Sequence, residues 1–184
     1  MRSPALLLAM LLMAGCRTPS PTASVPVPRV APRQEDVASI DGLMRPFYEV
    51  VNVAPEEPRQ WSRDRTLYSP WIRFVATGTS PTTGRTRAEA WDHQRLVDES
   101  EPLLRKGFRE REIHRSLHRY GNIAHVDSTY ETTFGTGAQV EVSRGVNSVE
   151  LYFDGTRWWI ASVMWMSEDE GHPIPAEYLP TAAP

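Results

Sequence analysis

Cysteine is almost absent from this 184-residue chain: Cys16 stands alone, which excludes an intrachain disulfide framework. Lysine is as scarce, with Lys106 the only one, so arginine carries nearly all the positive charge. Positive charge is not in excess either. The formal net charge is -3, so the chain lacks the basic footprint of a nucleic-acid binder, and no nucleic-acid partner is expected. There is no glycine-rich phosphate loop, no nucleophile elbow, no HExxH pair and no Ser-His-Asp motif. Neither a cofactor nor a metal is expected. No apolar run is long enough to cross a bilayer as a helix.

What stands at the N-terminus reads as a processing signal. Arg2 is a short basic start and Ala5 to Met13 is an apolar run. Met13-Ala14-Gly15-Cys16 resembles a bacterial lipobox, with Met13 in place of the usual leucine. The expectation is a lipoprotein signal peptide over residues 1–15 and lipid attachment at Cys16. The alternative is a plain export signal with a chance cysteine. Arg17 follows, and no aspartate there suggests inner-membrane retention, so the expected address is the outer membrane of a bacterial envelope, facing the periplasm. Residues 16–33 are rich in Pro, Thr, Ser, Val and Ala, which cannot continue a helix or a ladder and read as an extended tether. A single domain follows over residues 34–170, then a proline-rich tail over residues 171–184 that is expected to wrap the surface.

Two hairpins dominate the domain. Asp154-Gly155 lies between two β-rich apolar runs. A two-residue turn there pairs Leu151 with Trp158, Val149 with Ile160, Asn147 with Ser162 and Gly145 with Met164. That face is apolar apart from Asn147 and Ser162, and Trp159, Val163 and Trp165 fall on the other. Gly121-Asn122 makes a second hairpin, pairing Tyr120 with Ile123, His118 with His125, Leu117 with Val126 and Arg115 with Ser128. Burial cost sends Ile113, Leu117, Ala124, Val126 and Tyr130 inward, with Arg115 and Ser128 among them. It sends His114, His118, His125, Asp127, Glu112 and Glu131 outward.

Before the hairpins come three helices and a strand. Ile40, Leu43, Met44, Phe47, Tyr48 and Val51 form one apolar stripe, predicting a helix over residues 34–53 with Asp36 as N-cap. A short helix is expected within residues 55–70, a strand over residues 71–75, a polar loop over residues 78–87 and a third helix over residues 88–104. Helices first and consecutive strands after them make an α+β domain. The expected shape is a cone, a curved antiparallel sheet packed on three helices, with a cavity at its wide end.

That order, together with FYEVV in the first helix, GFREREIHRSLHRYGNIAHVDSTYE, RGVNSVELYFDGTRWWIASVMWMSE and the tail HPIPAEYLP, resembles the nuclear transport factor 2-like superfamily, and more closely its bacterial SnoaL-like members. The resemblance implies the cone fold. It does not imply one reaction, because the superfamily contains isomerases, dehydratases, cyclases and non-catalytic binding modules. No catalytic aspartate of the superfamily matches by motif.

Three candidate sites follow. The first is a pocket lining made of Arg115, Ser128, Tyr130, Asn147 and Ser162, with Tyr48, Trp71, Trp91 and Trp158 as stacking walls. Arg115 would suit a carboxylate, so the expected ligand is a small apolar or anionic molecule. The structural alternative has Asn147 and Ser162 satisfying one another and Arg115 reaching an edge. The second is His114, His118, His125 and Asp127, which could bind metal or exchange protons. Their outward face argues for a solvated cluster instead. His93 is a rim candidate. The third is the outer strip Trp159, Val163 and Trp165, expected to carry a homodimer through the sheet or to lie under the C-terminal tail. Glu110, Glu112 and Glu131 are assigned to the polar face and to surface ion pairs. The functional expectation is a binding domain without assigned catalysis. The alternative is a cofactor-independent isomerase, dehydratase or cyclase using acid/base residues in the cavity.

Overall fold

A computed structural model describes residues 24–80, 82–135 and 140–181. The signal-like stretch, Cys16 and the start of the tether lie outside the described residues. Helix α1 (Gln34–Val37) and helix α2 (Ile40–Glu49) replace the single predicted helix. Ser39 is extended and its Oγ accepts from the Gly42 N–H at 2.9 Å, an N-cap that restarts the helix. Asp36 is not a cap. It is buried in α1 and takes both ends of the Arg63 guanidinium, at 2.8 and 2.9 Å. Helix α3 (Trp61–Arg65) is followed by strand β1 (Tyr68–Thr79), longer at both ends than predicted. Residues 86–91, expected partly as loop and partly as helix, are strand β2 (Thr86–Trp91), paired antiparallel with β1. Asp92 explains the boundary: its side chain accepts from the Arg95 N–H at 2.8 Å and starts helix α4 (His93–Leu104).

Strands β3 (Phe108–Tyr120), β4 (Ile123–Phe134), β5 (Glu141–Phe153) and β6 (Trp158–Ser167) complete one six-stranded sheet in the order β2-β1-β6-β5-β4-β3. Strands β1 and β6 run parallel, so the sheet is mixed rather than wholly antiparallel. One face carries the helices. Leu43, Met44 and Tyr48 of α2 pack there on Ile72, Phe74, Val126, Val149, Leu151 and Ile160. Each fully buried side chain of this size contributes roughly 1.5–3 kcal/mol. The α+β cone is therefore as expected.

The β3–β4 turn is also as read: Gly121, at φ 56°, and Asn122 make a two-residue loop, and His118 faces His125. The final hairpin differs. Its loop holds four residues, so Phe153 pairs with Trp158 and Leu151 with Ile160. The Asp154 carboxylate accepts from the N–H groups of Thr156 and Arg157, at 2.8 and 2.9 Å, and from Trp159 Nε1 at 2.6 Å. These bonds wrap the loop around one side chain and favour four residues over two.

Two β-bulges then reverse the faces of strand ends. In β6, Ile160 pairs with Leu151 but Ser162 pairs with Glu150, leaving Ala161 as the extra residue. Beyond it Val163 and Trp165 turn inward, whereas Ser162 and Met164 turn outward. This corrects the expected inward placement of Ser162 and Met164 and breaks the expected outer strip, of which Trp159 alone remains outside. In β3, His114 pairs with Thr129 but Glu112 pairs with Tyr130, leaving Ile113 as the extra residue. Glu112 and Glu110 thereby move to the helix side, against their assignment to the polar face.

Both proline-rich ends are laid on the domain. Val25 and Val27 pack on the small core of Trp61, Val97 and Leu104, and Asp98 accepts from Ser24 Oγ and the Val25 N–H. The tether therefore joins the folded body from residue 24. At the other end Tyr178 O accepts from Thr129 Oγ1, so the tail crosses the outer face of β4 rather than the final hairpin.

Candidate functional site

A cavity of about 270 Å³ lies between the helices and the inner sheet face. It is a little smaller than the ~300–1,000 Å³ common for small-molecule pockets, so its occupant is small. Trp61 from α3, Tyr68 and Phe74 from β1, Trp91 from β2, Phe108 from β3 and Trp165 from β6 wall it with rings. Trp165 reaches this wall only because of the Ala161 bulge, and its ring meets Trp91 edge-on at 6.3 Å.

Glu110 enters the same space through the Ile113 bulge. Its backbone is clamped by Asn52, which donates to Glu110 O at 2.8 Å and accepts from Glu110 N at 2.6 Å. Burial raises the Glu110 carboxyl from 4.5 to about 7, although the adjacent Asn147 side chain favours its ionised form. The cavity therefore holds a carboxyl poised to gain or lose a proton near neutral pH.

A polar chain leads away from it. Asn147 Nδ2 donates to Tyr48 Oη at 3.2 Å, and Tyr48 Oη meets Ser128 Oγ at 2.6 Å. Ser128 in turn donates to the Glu112 carboxylate, which the Arg115 guanidinium grips at 2.9 and 2.6 Å. Arg115 Nη1 also reaches Asp41 at 2.6 Å. With Glu112 accepting at one end, Tyr48 donates to Ser128 and accepts from Asn147. Burial and the nearby carboxylates push the Tyr48 hydroxyl far above its ordinary range, so it stays protonated.

Of the residues singled out from sequence, Trp91, Tyr130 and Asn147 line the cavity. Tyr48 and Ser128 are buried behind it in the polar chain. The others do not meet there. Arg115 is tied to Glu112 and Asp41, which removes the expected grip on an anionic ligand. Trp158 is core, packed on Phe153 with Arg119 over its ring. Trp71 is 59% exposed, because Ile72 and Phe74 take the inward positions of β1, and it stacks on Tyr152 outside. Ser162 faces out, opposite Glu150. The outward histidine cluster is an ionic patch: His125 bridges Glu150 at 2.8 Å and Asp127 at 3.0 Å. Among the described residues no group of three His, Cys, Asp or Glu is placed to hold a metal ion.

His93 belongs to a buried tie rather than to a rim. Its Nε2 lies 2.7 Å from Asp64 Oδ2, and Tyr68 Oη donates to Asp64 Oδ1 at 2.9 Å. Asp64 and Tyr68 are part of the cavity wall. Sequence reading passed over Asp64, since an aspartate among Arg63 and Arg65 looks like surface.

No model of a known protein family matches the chain, and no curated protein matches it. Solved structures do. A hexachlorocyclohexane dehydrochlorinase, LinA-type3, from Novosphingobium barchaimii LL02 superposes with a TM-score of 0.54 at 13% identity, covering 75% of this chain and 93% of that one. A nuclear transport factor 2-like superfamily protein from Salmonella enterica gives a TM-score of 0.51 at 15% identity over 69% and 87%. The chain has the nuclear transport factor 2-like fold. The beta subunit of an aromatic-ring-hydroxylating dioxygenase from Novosphingobium aromaticivorans, at TM-score 0.55 and 11% identity over 72% and 88%, shares that cone. At such identities the likeness carries the nuclear transport factor 2-like fold and leaves the reaction open.

Proposed function

We propose that the protein is an exported, lipid-anchored binder of a small, largely apolar molecule, held in the cone cavity with Glu110 as its polar anchor. The observation that carries this reading is a ring-walled cavity of about 270 Å³ containing a carboxyl pushed up to about 7. Rings supply apolar contact, and one placed polar group supplies orientation. A second reading, acid/base catalysis without a cofactor, is favoured by the same carboxyl, because a proton-exchanging group works best when its pKa lies near the working pH.

One neutral probe tests both. 2-Indanone is expected to quench tryptophan emission saturably, since Trp61, Trp91 and Trp165 face the cavity. Ser100→Trp, which fills the cavity from α4, should weaken binding at least tenfold. A non-saturable response, or one indifferent to Ser100→Trp, would place binding elsewhere. If Glu110 is a catalytic base, the α-protons of the ketone exchange in D2O faster with the parent protein than with Glu110→Gln.

The anchoring part of the proposal rests on the lipobox-like Met13-Ala14-Gly15-Cys16. Two or more acyl chains at about 0.8 kcal/mol per buried methylene would hold the protein on a membrane. Cys16→Ser should move it from the membrane fraction to a soluble or unprocessed form. Unchanged fractionation would contradict the anchor.

A further inference from the structure

We propose that the cavity's occupant is a small hydrophobic amine bound as its cation, with its rings or alicycle among the aromatic walls and its charge against Glu110. This rests on the binding reading above and names the ligand class for the same site. The lining among the described residues contains no arginine, lysine or histidine, yet it contains the carboxyl groups of Asp64, Glu110, Glu141 and Glu168. An anion placed there would meet negative charge without a counter-cation, and its burial would be costly. A cation meets the reverse situation. Aromatic faces attract it through their quadrupoles, and more strongly where water is excluded.

The carboxyl groups are not equivalent. Asp64 is occupied by Tyr68 and His93, and Glu168 by Arg144 and the Ile174 N–H. Glu110 has Asn147 beside it and is half-buried on the cavity wall. The titratable groups that face it are tyrosine hydroxyls: Tyr48 from α2, Tyr68 from β1 and Tyr130 from β4. All three are pushed up by burial first; the Glu110 charge comes next for Tyr48 and Tyr130, whereas for Tyr68 the bonded Asp64 comes before it, and all three remain neutral. Arg115, the guanidinium the sequence offered to an anion, is spent on Glu112 and Asp41. A half-buried carboxyl with no cationic side chain among the described lining residues is what an incoming ammonium completes.

The test uses three probes on one skeleton: 2-aminoindane as the cation, 2-indanol as the neutral form and indane-2-carboxylate as the anion. Calorimetric titration of the purified protein at pH 8 should show 2-aminoindane binding at least tenfold more tightly than 2-indanol, with the carboxylate weakest. The preference should fall away towards pH 5, as Glu110 takes up its proton. Glu110→Gln should erase the preference, bringing 2-aminoindane affinity down to that of 2-indanol, and a cooperative thermal melt reports that the variant is folded. Equal or tighter binding of 2-indanol or the carboxylate at pH 8 would overturn the amine assignment and leave the cavity reading standing. Failure of all three probes would overturn both.

Discussion

Glu110→Gln is expected to raise the melting temperature by about 6 °C at pH 8 and to leave it nearly unchanged below pH 4.5. The folded protein holds this carboxyl at about 7 against an ordinary 4.5. Between those values the folded state binds the proton more strongly than the unfolded chain does. Stability from this group is therefore highest below 4.5, declines as pH rises and reaches its full deficit above 7. A separation of this size corresponds to about 3 kcal/mol at 1.36 kcal/mol per unit, and water admitted to the cavity reduces it to about 2 kcal/mol. Glutamine keeps the shape and has no charge to desolvate. For a domain of this length about 2 kcal/mol moves the midpoint by roughly 6 °C. Thermal melts of both proteins at pH 4 and pH 8 provide the check, and an equal difference at the two pH values would show that Glu110 is solvated in the folded state. The direction is opposite to that of a salt-bridged carboxylate such as Asp36, whose pKa the hydrogen-bonded Arg63 lowers and which stabilises at high pH.

Asp64→Ala should be the most damaging single substitution near the cavity, costing about 3–5 kcal/mol in urea unfolding. Asp64 is 1% exposed and receives Tyr68 Oη and His93 Nε2 on its two oxygens. Alanine leaves both groups unpaired in the core, and each orphan costs about 1–3 kcal/mol. It also loosens the start of α4, where His93 is the first residue, and β1, which carries Tyr68. His93→Ala removes one bond of the pair and should cost less. A loss below 1 kcal/mol for Asp64→Ala would mean that the tie does not hold these elements.

The fold was legible because hairpin turns and apolar stripes are local signals. Gly121-Asn122 gives the β3–β4 register directly, and Leu43, Met44 and Tyr48 mark the buried face of α2. The site was less legible because it depends on two residues that break alternation. In β6 the apolar residues change parity, from Trp158 and Ile160 to Val163 and Trp165. In β3 they change from Leu117 to Phe108. Such a change is the sequence mark of a bulge. Read without it, every residue beyond the break falls on the wrong face, so that Glu110 reads as surface and Ser162 as pocket. The Asp64–His93 tie had no comparable local mark, since its partners lie 29 residues apart and meet only through tertiary packing.

The account rests on an acidic side chain that titrates inside an aromatic cavity. Carbon-13 NMR of protein labelled at the glutamate side-chain carboxyl carbon, with Glu110→Gln to assign the resonance, measures this directly. A Glu110 midpoint near 7 is predicted, moving downward when 2-aminoindane is added. A midpoint near 4.5, insensitive to the amine, would contradict the account.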